Sequence, residues 1–188
     1  MSTVSIQSDT HSPLTLEGSV VRLEPIRNEH AALFWEIAKD DLEDIFRWIP
    51  YSMRTPEDFR KLVDKVFEEQ DRGESVAFAT VERSSGRTIG STRFMNIDRT
   101  NRRVEIGSTW IAPPWQRTAV NTEAKYLMLR HAFETWKCIR VELKTDAAES
   151  EVAECDPANR GEGRRNAAAA SDHVDGPSAR HGVFQHPR

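Results

Sequence analysis

The segment from Val104 to Thr145 constrains the fold most. VEIGSTWI is an apolar run of strand length, and APPWQRT follows as a short loop with two prolines. Asn121–Trp136 then carries Ala124, Leu127, Met128, His131, Ala132 and Thr135 near one helical face, and Ile139–Thr145 is a further strand. A strand, a helix and a strand in close succession form a crossover, which places the chain in the α/β (α+β) class. The loop has a chemical consequence. The first amides of a helix lack intrahelical partners and the helix dipole favours negative charge there. The loop that opens this helix therefore predicts an anion site, suited to a phosphate-bearing ligand.

The residues upstream read as a meander with two helices. Leu14–Leu16 and Val20–Leu23 flank Glu17-Gly18 and predict a first hairpin, ended by Pro25. Glu29–Lys39 predicts a helix with Leu33, Phe34 and Ile37 at helical spacing and Asn28 as its cap. Asp40–Met53 holds Phe46, Trp48, Ile49 and Tyr51 with no clean period. Thr55-Pro56-Glu57-Asp58 combines a cap, a proline at the first helical position and acidic residues, so a helix starts there and runs to about Asp71, where Gly73 stops it. Ser75–Glu82 and Thr88–Asn96 flank Ser84-Ser85-Gly86 as a second hairpin. The predicted order is β-α-α-β-β-β-α-β.

Composition excludes several classes. The 188 residues suit one ordinary domain. A net charge of −4 argues against a nucleic-acid binder, and the basic recognition helix of a helix-turn-helix regulator is absent. Two cysteines, Cys138 and Cys155, make no disulfide framework, and no Cys/His spacing predicts a metal. The first residues lack the pattern of a secretory leader, and no apolar run has membrane-spanning length. The expectation is a cytoplasmic protein with no membrane or nucleic-acid partner.

The chain changes character after Asp146. Residues 147–188 contain no Leu, Ile, Met, Trp, Tyr, Lys or Thr. Such a segment buries too little apolar surface to offset its ordering entropy, so disorder is predicted there and over residues 1–12. The domain proper is assigned to 13–146.

IGSTRFMNID, VEIGSTWIAPPWQ, NTEAKYLMLRHAFE and RVELKTDA, in that order, resemble the GCN5-related N-acetyltransferase (GNAT) superfamily. Within it they are similar to the enzymes that acetylate the N-terminal amines of ribosomal proteins. The resemblance covers about residues 13–146. It implies a mixed sheet with flanking helices, acetyl-CoA as co-substrate and a primary amine as acceptor, either a protein N-terminus or a small molecule. It leaves a homodimer open. By the same resemblance, the pyrophosphate lies on Gln116, Arg117, Thr118, Ala119, Val120, Asn121 and Thr122. Ala119 stands where glycine is usual, and a positive φ there would be strained. The acetyl-pantetheine arm lies in a gap between the two crossover strands, against backbone groups of Trp110 and Ile111.

The chemistry is direct transfer, in which a carboxylate takes the proton of the attacking amine. Glu105 is the first candidate, against a reading as a strand residue facing solvent or paired with Arg103 or Arg93. Glu142 is the second candidate and better explained structurally. His131 reads as a packed residue. Phe46–Tyr51 either lines the acceptor site or seals the first helices onto the sheet. The family expects a helix and two closing strands after Asp146. Codons permitted by residues 148–167, read one base later, spell a segment resembling that helix and turn. A frameshift near Ala147 or Ala148 would explain this, and would leave Ile139–Thr145 as an exposed edge. The competing reading is thus a truncated, inactive relic that at most binds CoA or a protein partner.

Overall fold

Among the described residues, seven strands form one sheet in strict sequence order, and only one pair of neighbours is parallel. They are β1 (Leu16–Glu17), β2 (Val21–Pro25), β3 (Val76–Glu82), β4 (Thr88–Asp98), β5 (Arg103–Ile111), β6 (Arg140–Thr145) and β7 (Arg180–Gln185). The helices are α1 (His30–Ala38), α2 (Leu42–Phe46), α3 (Pro56–Asp71) and α4 (Ala119–Arg130). This computed structural model describes residues 14–47, 52–145 and 180–185, with backbone alone for Lys144, Thr145 and 180–185. The expected disorder of residues 1–12 and of most of the tail, and the proposed frameshift point at Ala147 or Ala148, lie outside the described residues, as do Trp48, Ile49 and Tyr51.

The predicted elements stand within a few residues of their expected bounds. The helix start at Thr55 is a full capping box: the Asp58 N–H donates to Thr55 Oγ1 at 3.3 Å, and the Thr55 N–H donates to Asp58 Oδ2 at 2.8 Å. At α1 the expected Asn28 cap is not the one used. Glu29 is the capping position and makes no side-chain bond, while buried His30 accepts from the Arg27 N–H through Nδ1 at 2.8 Å. The helix predicted over Asn121–Trp136 starts two residues earlier and loosens into a π-helical turn over His131–Thr135.

Two apolar layers sandwich the sheet. Helices α1–α3 cover one face, where Phe34, Phe46 and Phe59 surround Trp110 with ring centroids 5.2–6.3 Å apart. Helix α4 covers the other through Val120, Ala124, Leu127 and Met128 against Leu23, Ile89, Phe94 and Ile106. Edge-to-face aromatic packing adds to the area term on the first face.

The end of the sheet departs from expectation. Strand β7 pairs antiparallel along all of β6, from Arg140↔Gln185 to Thr145↔Arg180. The β6 strand is therefore not the exposed edge that the tail's composition implied. The tail is poor in core residues, but backbone pairing asks only for N–H and C=O groups, which any residue except proline supplies in full.

Candidate active site

The site follows from an asymmetry in β5. On one side, β5 pairs antiparallel with β4 along its length, from Asp98↔Arg103 to Gly90↔Ile111. On the other, it pairs in parallel with β6 over only four residues, Arg103↔Arg140 to Ile106↔Leu143. Beyond Ile106 the two strands part, and Gly107–Ile111 runs on without β6 beside it. Such strand edges present backbone groups to whatever enters the gap.

A bulge lies where the strands part. Ser108 has φ of 50°, in the left-handed region that a non-glycine residue adopts only under constraint. The β4–β5 register slips opposite it, between Ser91 and Arg93. The slip inverts the alternation of side chains. Val104 and Ile106 face α4; after the bulge, Ile111 faces α4 and Trp110 the aromatic layer.

Backbone direction decides which groups face the gap. The Ala112 N–H donates to Ile89 O at 2.9 Å, so it points toward β4. Two residues earlier, Trp110 shares that direction and pairs with Ser91. Its carbonyl reaches β4 so closely that a Cβ on Gly90 would collide with it. Of the two backbone positions expected to face the gap, Trp110 is therefore turned away, while Ile111 and Thr109 face it. The Ile111 carbonyl accepts from Gln116 Nε2 at 2.8 Å. Gln116 thus ties the loop to the strand end.

The loop itself passes through a 3-10 turn at Pro113–Trp115 into α4. Thr118 caps the helix, accepting from the Val120 N–H at 3.3 Å and donating to Trp115 O at 2.7 Å. The left-handed residue here is Arg117, with φ of 58°. Ala119 is the first helical residue and carries no positive φ. The expected strain at Ala119 does not arise, because the turn that needs conformational freedom lies two residues earlier. Arg117, Ala119, Asn121 and Thr122 are exposed around the helix N-terminus, whereas the Val120 side chain is buried beneath it.

Glu105 is buried, and its Oε2 accepts from Asn96 Nδ2 at 2.8 Å. It lines a cleft of about 370 Å³ with Asn96, Arg103, Val104 and Glu142. Alternation with Val104 and Ile106 puts it on the α1–α3 face. Arg93 pairs with Glu69, and Arg103 with Asp98 at 3.1 Å. Glu142 lies 3.1 Å from Arg140 and 3.8 Å from Arg103, a structural ion-pair arrangement. His131 packs against Phe94 and Trp136, and burial lowers its pKa.

One group in this region escaped the sequence reading. Lys125 Nζ donates to Thr109 Oγ1 at 2.5 Å and to Thr92 Oγ1 at 3.3 Å. The two hydroxyls are 2.7 Å apart, and Thr92 touches Met128 Sδ at 3.6 Å. The residue as a whole is only half-buried, but its ammonium is drawn in between helix and sheet, and loss of water lowers its pKa to about 7. Its spacing held a signal: Lys125 precedes the buried Met128 by three residues, so the two share a helical face.

With this geometry in place, comparison is informative. The family profile for the acetyltransferase (GNAT) domain matches residues 21–164. The chain belongs to the GNAT acetyltransferase family. The GNAT match runs past Asp146 into the tail. A GCN5-related N-acetyltransferase from Brucella melitensis is 26% identical with a TM-score of 0.66, over 75% of this chain. The match spans 65% of the Brucella protein's own length. A Vibrio cholerae protein assigned as a ribosomal-protein-serine acetyltransferase shares the fold at 18% identity and a TM-score of 0.59, over 78% of this chain and 76% of that one. The microcin C7 self-immunity acetyltransferase MccE, solved with acetyl-CoA and AMP, shares it at 12% identity and a TM-score of 0.65, over 72% and 75%. No match was found among curated proteins. Among the described residues, no helix is long and apolar enough to cross a membrane, and no group of His, Cys, Asp and Glu is arranged to hold a metal ion.

Proposed function

We propose that this chain is an acetyl-CoA-dependent N-acetyltransferase that moves an acetyl group directly to a primary amine. The observation that carries the reading is the parting of β5 from β6 after Ile106, with β5 leading straight into the capped N-terminus of α4. The residues fit the co-substrate. First-turn amides of α4 suit a pyrophosphate, and Arg117 stands beside them with a charge of the right sign. The Thr109 and Ile111 side of β5 suits an arm that hydrogen-bonds to backbone. Bound there, acetyl-CoA supplies the activated thioester.

Glu105 accepts the proton from the acceptor amine, directly or through a water in the cleft it lines. The Asn96 amide donates to one carboxylate oxygen and so orients the group. The α1–α3 face is then the acceptor side. By resemblance the acceptor is the N-terminal amine of a protein, with a small amine as the second class. A panel of N-terminal peptides and small amines, assayed for CoA release, separates the two. Acetyl-CoA at 100 times its Kd should add roughly 2.7 kcal/mol to folding stability. A folded sample that shows no thermal shift with acetyl-CoA would return the chain to the reading as an inactive relic.

A further inference from the structure

The buried cation on α4 has no part in the mechanism above. Lys125 meets two threonine hydroxyls, and no charged group among the described residues shifts its titration. Thr92 and Thr109 face it from the sheet and Met128 from its own helix, and none of them titrates near neutrality. A cation taken from water without an anion is costly, and proteins keep such groups where a charge arrives later. The position suggests which charge. Lys125 lies six residues beyond Ala119, about 9 Å along the helix from the anion site. Thr109, which it touches, lies two residues back from the end of β5, about 7 Å along the strand. Helix and free strand edge thus run back together from the loop and meet at the bulge.

The faces of the sheet add a second constraint. Glu105 lies on the α1–α3 face and Lys125 on the α4 face, on opposite sides of the gap. An amine that attacks from the Glu105 side leaves the α4 face of the thioester to a group that meets the departing sulfur.

We propose that the Lys125 ammonium receives the CoA sulfur as it leaves and returns a proton to it, an inference that rests on the acetyltransferase reading above. In that step the amine nitrogen forms a bond to the acetyl carbon and the carbon–sulfur bond breaks. The bonding pair stays on sulfur, and Lys125 Nζ gives it a proton, yielding the CoA thiol. The proton released by the acceptor amine, through Glu105 and solvent, restores the ammonium. With a pKa of about 7, Lys125 is a stronger acid than a thiol of ordinary pKa near 8.5, so the transfer runs downhill. Thr92 and Thr109 keep Nζ at the gap.

The test uses the full chain, CoA and desulfo-CoA, which lacks the sulfur. Affinities for both are measured by calorimetry in the wild type and in Lys125→Met. The substitution removes a buried charge at similar length, so the variant should fold. The expected result is a loss of about tenfold in CoA affinity with desulfo-CoA affinity unchanged. Equal losses for both ligands, or no loss of CoA affinity, would overturn the inference alone. A wild-type chain that binds neither ligand would overturn the acetyltransferase reading and this inference with it.

Discussion

The two edges of β5 are built to different standards. Toward β4 the strand is paired to its end, backed by Trp110 in its aromatic nest and closed so tightly that Gly90 admits no side chain. Toward β6 it holds four residue pairs and then lets go. The first edge is where stability is concentrated; the second holds backbone groups in reserve. The bulge at Ser108 separates the two regimes and also turns Trp110 toward the aromatic layer. One strand thus anchors the domain with one edge and parts from its neighbour along the other.

That contrast can be broken from either side. The largest expected effect is on chemistry: Glu105→Gln should lower kcat/KM by roughly 1000-fold while leaving the unfolding midpoint little changed, measured by steady-state kinetics and thermal melting. Next is the sealed edge. Gly90→Val drives a branched side chain into the Trp110 carbonyl and should cost about 3 kcal/mol in chemical denaturation. Ser108→Val tests the boundary. A β-branched residue resists the left-handed region, so the variant should lose about 1–2 kcal/mol. It should also bind acetyl-CoA more weakly, whereas Ser108→Gly should retain binding. If Ser108→Val left acetyl-CoA affinity intact, the bulge would have no role in opening the gap.

The smallest effect lies on α4 but away from the gap. Glu123 is partly buried, which alone would raise its pKa. Hydrogen bonds from the Ser19 hydroxyl and from the Val21, Ser19 and Val20 amides outweigh this and hold it at about 2. A carboxylate depressed in the folded state stabilises above its unfolded pKa of about 4.5. That contribution disappears as pH falls through about 2. Glu123→Gln should cost about 1 kcal/mol at neutral pH, screened by its exposure. It should also flatten the acid limb of the stability curve, with acetyl-CoA affinity unchanged.

Legibility in the sequence followed the range of the interactions. The α3 start was readable because Thr55 and Asp58 satisfy each other within one turn. The crossover was readable because its apolar periods are local. The α1 cap was not, since the bond from Arg27 to His30 replaces the expected Asn28. The loop between β5 and α4 was legible along the chain, but the positive φ falls at Arg117 and not at Ala119. A φ angle depends on how the chain must turn between two packed elements, and residue type alone does not state it. Lys125 was passed over because a lone lysine on a helix usually reaches solvent; only the Thr92–Thr109 pair, brought together by the β4–β5 register, turns it inward.

By itself the sequence determined the order of strands and helices apart from α2 and β7, the crossover and the family, because periodicity, capping and turn chemistry act within a few residues. The tertiary structure decided where β5 leaves β6, which backbone groups face the gap, which face carries Glu105 and which carries Lys125, and that a strand from the tail covers β6. Those are outcomes of strand register and of one bulge. Because side chains alternate with period two, a single inserted residue exchanges the two faces of a strand, and nothing local in the chain announces where that residue will be.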